Sequence, residues 1–270
     1  MSVQAPVTWD GHTARDLAAR CDVPHVDLYD EVDSTLDVAH LLAEGGAASG
    51  TLVVADHQRA GRGRLGRSWS SPSGQGVWCT VIERPSDPRA LDVLSIRVGF
   101  CAAEALDKFV DSRVCVKWPN DLVTRSGQGG QRGKHGGILV EARWAGPALQ
   151  WAAIGVGINV VAPTDVRTAA GLRHGVQRVD VLAAIVGAIR SASSMEGWLT
   201  PDEIRRCAVR DALRGRRVES PAIGMVTGID ASGALLVETA GGLERHRAGT
   251  IRFADEEEEE GEGQGEGEST

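Results

Sequence analysis

Three arginines alternate with three glycines in Gly61-Arg62-Gly63-Arg64-Leu65-Gly66-Arg67-Ser68-Trp69, shortly after the apolar run at residues 51–55. Glycine admits positive φ and lets backbone N–H groups come close to a ligand. Arginine offers a planar fork of donors matched to carboxylate and phosphate. A cationic loop behind a strand suits an enzyme that must close over two anionic substrates that repel each other. Taken alone, the segment also fits a solvated basic turn or an Arg/Gly nucleic-acid patch.

Four further segments stand in order around this loop: Asp33-Ser34-Thr35, Val116-Lys117-Trp118-Pro119-Asn120-Asp121-Leu122, Lys134-His135-Gly136-Gly137-Ile138-Leu139-Val140-Glu141 and Gly155-Val156-Gly157-Ile158-Asn159-Val160. Together they resemble the catalytic domain of the biotin–protein ligases, and the resemblance runs from about Tyr29 to Phe253. It implies a reaction in two steps. Biotin and Mg·ATP give biotinyl-5′-adenylate, and biotin then passes to one lysine of a biotin carboxyl carrier domain of a carboxylase. A free carboxylate is a poor electrophile, so activation at the α-phosphate is required. The protein's part is positioning, charge neutralisation and exclusion of water from the anhydride.

The resemblance also implies roles for single residues. Gly61 and Arg62 lie against biotin, with Arg62 near its carboxylate, while Ser34, Thr35 and Gln58 meet the ureido head. That neutral polar group must find hydrogen bonds once buried. Gly137 lets a strand approach biotin closely. Arg64 and Arg67 belong to the ordering loop, and Trp69 packs on the adenine. Lys134 and Lys117 serve as phosphate cations, Asn120 and Asp121 contact nucleotide and metal, and Asn159 faces the adenine. No protein-built metal site is assigned; Mg²⁺ arrives with ATP. His57 and His135 flank the cationic segments and read as bystanders. Three departures from the family pattern stand out: Leu36 where asparagine is common, Leu65 where a basic residue is common, and an insert at residues 126–133.

Composition narrows the alternatives. The 270 residues carry a formal net charge of −8, but nine acids crowd residues 254–270, so the preceding body is net +1. That tail is low-complexity Glu/Gly with no apolar anchor and reads as disordered and solubilising. A near-neutral body argues against a general nucleic-acid binder. The five cysteines are scattered without a CxxC pair, which fits neither a disulfide framework nor a zinc site. No apolar run reaches the ~20 residues of a membrane span, and the N-terminus lacks a secretory pattern, so the expected location is the cytoplasm. The 28 residues before Tyr29 are too few for a helix-turn-helix, which predicts a ligase that does not bind DNA. The nearest rival is a lipoate or octanoate ligase or transferase on the same fold. The oligomeric state stays open, a homodimer being possible.

Hydrophobic spacing and turn residues predict the elements that hold these groups. Helices are expected at 14–21, 35–44 behind an N-cap at Ser34, 91–110, 179–191 and 201–213. Strands are expected at 51–56, 76–83, 113–117, 138–144 and 151–158, the last two as antiparallel neighbours across Ala145-Gly146-Pro147. Short runs at 217–220, 224–230, 234–239 and 242–247, broken by glycine turns, predict a small β-barrel. The expected class is α+β: a mixed-sheet catalytic domain, which the resemblance makes class II synthetase-like, with a small C-terminal SH3-like barrel. The expected units are an N-terminal extension (1–28), the catalytic domain (29–214), the barrel (215–253) and the acidic tail (254–270).

Overall fold

The computed structural model describes residues 7–124, 133–164, 166 and 168–253; the acidic tail and most of the 126–133 insert lie outside them. Seven strands form one sheet: β1 (Val26–Val32), β2 (Leu52–Gln58), β3 (Gly76–Glu83), β4 (Val114–Lys117), β5 (Asp121–Thr124), β6 (Gly133–Ala145) and β7 (Ala148–Asn159). Their order is β1-β2-β3-β7-β6-β5-β4. Only β1 and β2 run parallel; the other neighbours are antiparallel.

Strand alternation divides the sheet's two faces. On β3, Val77, Cys79 and Val81 enter the large core together with α1 (Ala14–Cys21), α3 (Ala90–Leu106) and α4 (Arg178–Ser193). Ile82 and Thr80 point the other way, toward α2 (Thr35–Glu44). Ser34 starts α2 from an extended conformation, its Oγ accepting the Leu36 N–H at 3.3 Å. Leu36, Ala39 and Ala43, spaced for one helix face, then pack on Val53, Ile82 and Ala153. The face beyond α2 is left open, and the site lies there.

A second, antiparallel sheet ends the described chain: β8 (Arg217–Ser220), β9 (Gly224–Ile229), β10 (Leu235–Thr239), β11 (Gly242–His246) and β12 (Arg252–Phe253), ordered β11-β10-β9-β8-β12. Val218, Val226, Leu235, Val237 and Phe253 join the large core, and the Trp118 indole N–H donates to the Gly233 carbonyl at 3.0 Å. The two sheets therefore share one apolar interior.

Two buried arginines brace the large unit. Arg97, with a side chain 0% exposed, donates to both Glu203 oxygens and to the carbonyls of Met195, Glu196, Gly197 and Trp198. It thereby ties α3 to the segment entering α5 (Pro201–Arg210). Arg178 joins Asp10, Asp56 and the Gly76 carbonyl and lies over the Trp9 ring. Trp9, Leu17 and Cys21 are buried in the same core, and the boundary expected between residues 28 and 29 falls inside β1. Residues 7–28 are thus packed into the large unit rather than extending from it.

Other differences are local. The helix expected to reach residue 110 gives way at Leu106 to a 3₁₀ turn over Asp107–Phe109. α5 stops at Arg210 because Asp211 turns extended and its carboxylate accepts from the N–H groups of Leu213 and Arg214. β5 follows the Pro119 turn at once, in a stretch where no strand is expected from sequence. All five cysteines are buried, and none forms a disulfide. Burial raises the thiols of Cys21 and Cys101 to about 11 and that of Cys207 to about 12, so none of these three supplies a thiolate near neutrality.

Candidate active site

The open sheet face holds a cleft of about 230 Å³. Its floor comes from glycines that the pleat points toward α2. A Cβ on Gly157 would stand 2.6 Å from Trp69 Nε1, one on Gly155 3.1 Å from Leu36 Cγ, and one on Gly137 3.4 Å from the Trp69 ring. Alternation explains why 155 and 157 belong together on one face, with 137 directly across the ladder from 157. Bare backbone here is what lets the Trp69 ring lie on the sheet.

A chain of neutral hydrogen bonds runs along one wall. Thr80 donates to Thr35, whose N–H and hydroxyl both donate to Gln58 Oε1 at 2.9 and 3.1 Å. The Gln58 amide donates to Ser71 Oγ at 2.8 Å, and Ser71 donates to the Trp69 carbonyl. Ser34 and Thr35 are almost fully buried. Every link carries no net charge, so this wall suits an uncharged polar group.

Residues 61–69 fold over that floor as a small hairpin. Trp69 N–H donates to the Gly61 carbonyl at 2.8 Å, and Gly63 N–H to the Arg67 carbonyl at 2.7 Å. Gly61 is confined: an added Cβ would meet the Trp69 carbonyl at 2.4 Å. Leu65, at the tip, takes φ 58° and stands exposed. Arg62 donates to Asp37 at 2.6 Å and more loosely to Glu141 at 3.3–3.4 Å. Partial burial opposes its charge, but the Asp37 hydrogen bond and the two carboxylates outweigh it and hold its pKa above the ordinary value. Arg64 donates to Asn120 Oδ1 at 3.3 Å; burial lowers its pKa, offset only in part by Asp121. Arg67 is exposed at the rim.

The opposite wall gathers the lysines. Lys134 pairs with Asp121 at 2.8 Å and stands 5.1 Å over the Trp69 ring. Asn120 is pinned to β6 in both directions: its side chain donates to the Ile138 carbonyl and its own carbonyl accepts the Ile138 N–H, each at 3.0 Å. Lys117 ends β4, 5.3 Å over the Phe253 ring, with Arg216 on the same ring at 3.9 Å. Residues 249–251, just before β12, also line the cleft, so the second sheet helps to build it.

Of the residues singled out from sequence, Ser34, Thr35, Gln58, Arg62, Arg64, Arg67, Trp69, Lys117, Asn120, Asp121, Lys134 and Gly137 line this one cleft. Gly61 lies beneath, backing the hairpin. Asn159 stands behind, buried, its amide donating to the Lys134 carbonyl at 3.2 Å. His57 pairs with Glu31, away from the cleft lining. His135 is buried against Thr124, and burial lowers its pKa. Sequence reasoning missed the floor glycines 155 and 157 as a pair, the wall residues Ser71 and Thr80, and the carboxylates Asp37 and Glu141. A signal existed for two of these: Glu141 shares the strand face of Gly137, and Asp37 follows the N-cap Ser34 by three residues.

An uncharged polar wall, a side-chain-free floor and cations on two further sides define a site for an anion bearing a neutral polar head. Comparison with known proteins identifies the kind. Residues 30–159 match the biotin/lipoate A/B protein ligase family, and residues 214–253 match the biotin protein ligase C terminal domain. The bifunctional ligase/repressor BirA of Escherichia coli is 32% identical over 262 residues, covering 90% of this chain and 78% of its own. The biotin–[acetyl-CoA-carboxylase] ligase of Paracoccus denitrificans is 28% identical, covering 78% of this chain and 92% of its own. Among solved structures, the biotin protein ligase of Aquifex aeolicus in complex with biotin and ATP superposes with a TM-score of 0.68 at 23% identity, over 86% of this chain and all of the other. The chain belongs to the biotin/lipoate A/B protein ligase family.

Proposed function

We infer that this chain is an ATP-dependent biotin–protein ligase. The observation that carries the reading is a single cleft combining the neutral wall of Thr35, Gln58 and Ser71 with the cations Arg62, Arg64, Lys117 and Lys134. The match of residues 214–253 to a biotin protein ligase domain favours biotin over lipoate.

In the proposed first step, a carboxylate oxygen of biotin attacks the α-phosphorus of ATP. The bond to the bridging oxygen breaks and pyrophosphate leaves with its electrons. Arg62 holds the carboxylate, with Gly61 behind it, while Ser34, Thr35 and Gln58 hydrogen-bond the ureido group. Gly137 leaves room for the bicycle. Lys134 and Lys117 neutralise phosphate charge, which in such transfers is the main task of the protein. Trp69 covers the adenine and Asn159 fixes the strand end that faces it; Arg64 and Arg67 keep the hairpin down. The described residues contain no cluster of three or more acidic, histidine or cysteine side chains around one point. Magnesium often binds through one or two carboxylates plus substrate phosphates. Asp121, the one carboxylate among the described lining residues, fits that pattern and with Asn120 is the chain's contribution beside a phosphate-bound ion. Such an ion would supply positive charge against the polyphosphate there.

In the second step, the neutral amine of a lysine on a biotin carboxyl carrier domain attacks the acyl carbon. AMP leaves and the ammonium proton is lost to water. Use of ATP points to the cytoplasm, and no helix of the described residues is long and apolar enough to cross a membrane. The test is exchange of labelled pyrophosphate into ATP. Biotin should support it and lipoate should not; equal exchange with lipoate sinks the biotin assignment.

A further inference from the structure

The Arg62 guanidinium stands between two carboxylates that differ in how they are held. Asp37 gives the shorter bond, 2.6 Å from Nη1, yet its side chain is 51% exposed. Glu141 reaches Nη2 only at 3.3–3.4 Å, but it is anchored from behind. His40 Nε2 lies 2.9 Å from Glu141 Oε2, and the Trp151 indole N–H donates to His40 Nδ1 at 3.0 Å. An indole N–H can only donate, so Nδ1 must be the accepting nitrogen. The neutral imidazole therefore carries its proton on Nε2 and gives it to Glu141. A rigid aromatic residue on β7 thus fixes a tautomer on α2, which fixes a carboxylate on β6, which orients an arginine of the hairpin.

Asp37 has no such anchor. It occupies the first turn of α2, three residues beyond the N-cap, where free N–H groups and the helix dipole stabilise a negative charge. Released from Arg62, it keeps a favourable environment and gains water. A third carboxylate cannot join the same fork without raising the local negative charge, so one of the present pair must yield to it. Exposure and anchoring both select Asp37.

We propose that Asp37 is a place-holder for the substrate carboxylate on Arg62, and that Glu141, set by His40 and Trp151, is the positioning residue that keeps the guanidinium in place during the exchange. The proposal rests on the reading of Arg62 as the group that meets the biotin carboxylate. It makes the two carboxylates act in opposite directions. Removing the Asp37 charge abolishes a competitor, so biotin binds more readily. Removing the Glu141 charge lets the guanidinium swing, so biotin binds less readily.

The experiment measures biotin-dependent pyrophosphate exchange against biotin concentration for the full chain and four variants. Asp37→Asn should lower the half-saturating biotin concentration about two- to fivefold, the scale of an exposed ion pair. Glu141→Gln should raise it on the order of tenfold, with a smaller change at saturating biotin. His40→Gln, whose amide can accept from Trp151 and donate to Glu141, should stay within about twofold of the parent. His40→Leu should behave like Glu141→Gln. A purely structural role predicts that both acid variants raise the half-saturating concentration together, and that result overturns the place-holder. Equal losses in His40→Gln and His40→Leu overturn the positioning chain. Absence of biotin-dependent exchange in the parent overturns the ligase reading itself, a separate outcome from either.

Discussion

Arg97 and Arg62 are the same residue put to opposite uses. Around Arg97 every donor is taken by Glu203 or by a carbonyl of residues 195–198, and the side chain has no exposed surface. Around Arg62 the partners are two carboxylates on separate elements, and 36% of the side chain stays open. A guanidinium that is fully and rigidly satisfied can only hold the fold. One held by long or exposed bonds can exchange partners, and the charge then becomes available to a ligand. The contrast locates function better than the mere presence of a basic residue, of which the chain has 29.

The largest expected effect lies on the structural side. Glu203→Gln leaves Arg97 buried beside an uncharged partner, and breaking such a pair costs about 3–5 kcal/mol. For a domain of this size the melting temperature should fall by roughly 6–20 °C, read by calorimetry. A change of only a degree or two would show that the carbonyl cage suffices and that the contrast is overstated.

Next comes the floor. Gly157→Ala places a methyl against the Trp69 indole, which cannot shift as a flexible side-chain end would. Adenylation should drop on the order of tenfold, since the ring is displaced from its place over the site, while the melting temperature stays near the parent value. Unchanged exchange would mean that Trp69 does not need to rest on the sheet.

Arg64→Gly is milder for synthesis. It removes the link to Asn120 and should let the hairpin lift, so that adenylate forms but escapes. The readout is biotin attached to an unrelated lysine-rich protein in the same tube; labelling no greater than with the parent chain, with exchange intact, removes the hairpin's role in retention.

The pH dependence of stability sharpens the same contrast. Burial alone would raise the Glu203 carboxyl, but hydrogen bonds from Arg97 and Thr200 outweigh it and place its folded pKa below the ordinary 4.5. A depressed carboxylate stabilises the fold above its unfolded value and loses that contribution as pH falls through the folded one. Melting temperature should therefore decline below pH 4.5, and Glu203→Gln should flatten part of that decline. Parallel acid limbs in the two proteins would refute the assignment. The smallest effect belongs to Leu65→Gly: relief of a left-handed non-glycine residue offers about 1 kcal/mol locally, against added backbone entropy in an exposed tip. The prediction is a melting temperature within about 3 °C of the parent.

Much of this was legible in sequence for identifiable reasons. Ser34 declared the start of α2 because a capping hydroxyl before an apolar 3-4 spacing has few other readings. The β8–β11 strands were marked by the glycine turns between them. β1 was not, because Val-Asp-Leu-Tyr-Asp-Glu-Val at a sheet edge buries only its two ends and shows no clean alternation. β5 and β12, with four and two residues, are too short to carry a period at all. Within the site, the cations were legible because their spacing around glycine is unusual. Asp37, His40, Glu141 and Trp151 were passed over, since each looks like an ordinary member of its own helix or strand; only the face that Glu141 shares with Gly137 and the place of Asp37 after Ser34 set two of them apart. Their relation exists only through the packing of α2 on β6 and β7.

The β6–β7 hairpin carries a last consequence, concerning how such a chain can change over generations. Gly137, Leu139, Glu141 and Arg143 lie on the α2 side of the sheet in step with Gly157, Gly155, Ala153 and Trp151 across the ladder. A single codon gained or lost between them would turn the side chains of Ile138 and Val156, now packed in the large core, toward α2 and bury a carboxylate in their place, because side chains alternate with a period of two. The tip at Gly146-Pro147 has no such constraint, lying far from both the floor and the core. Length variation in descendants of this gene should therefore concentrate at that tip, and single-residue insertions should be tolerated there while they are purged from the paired segment below it.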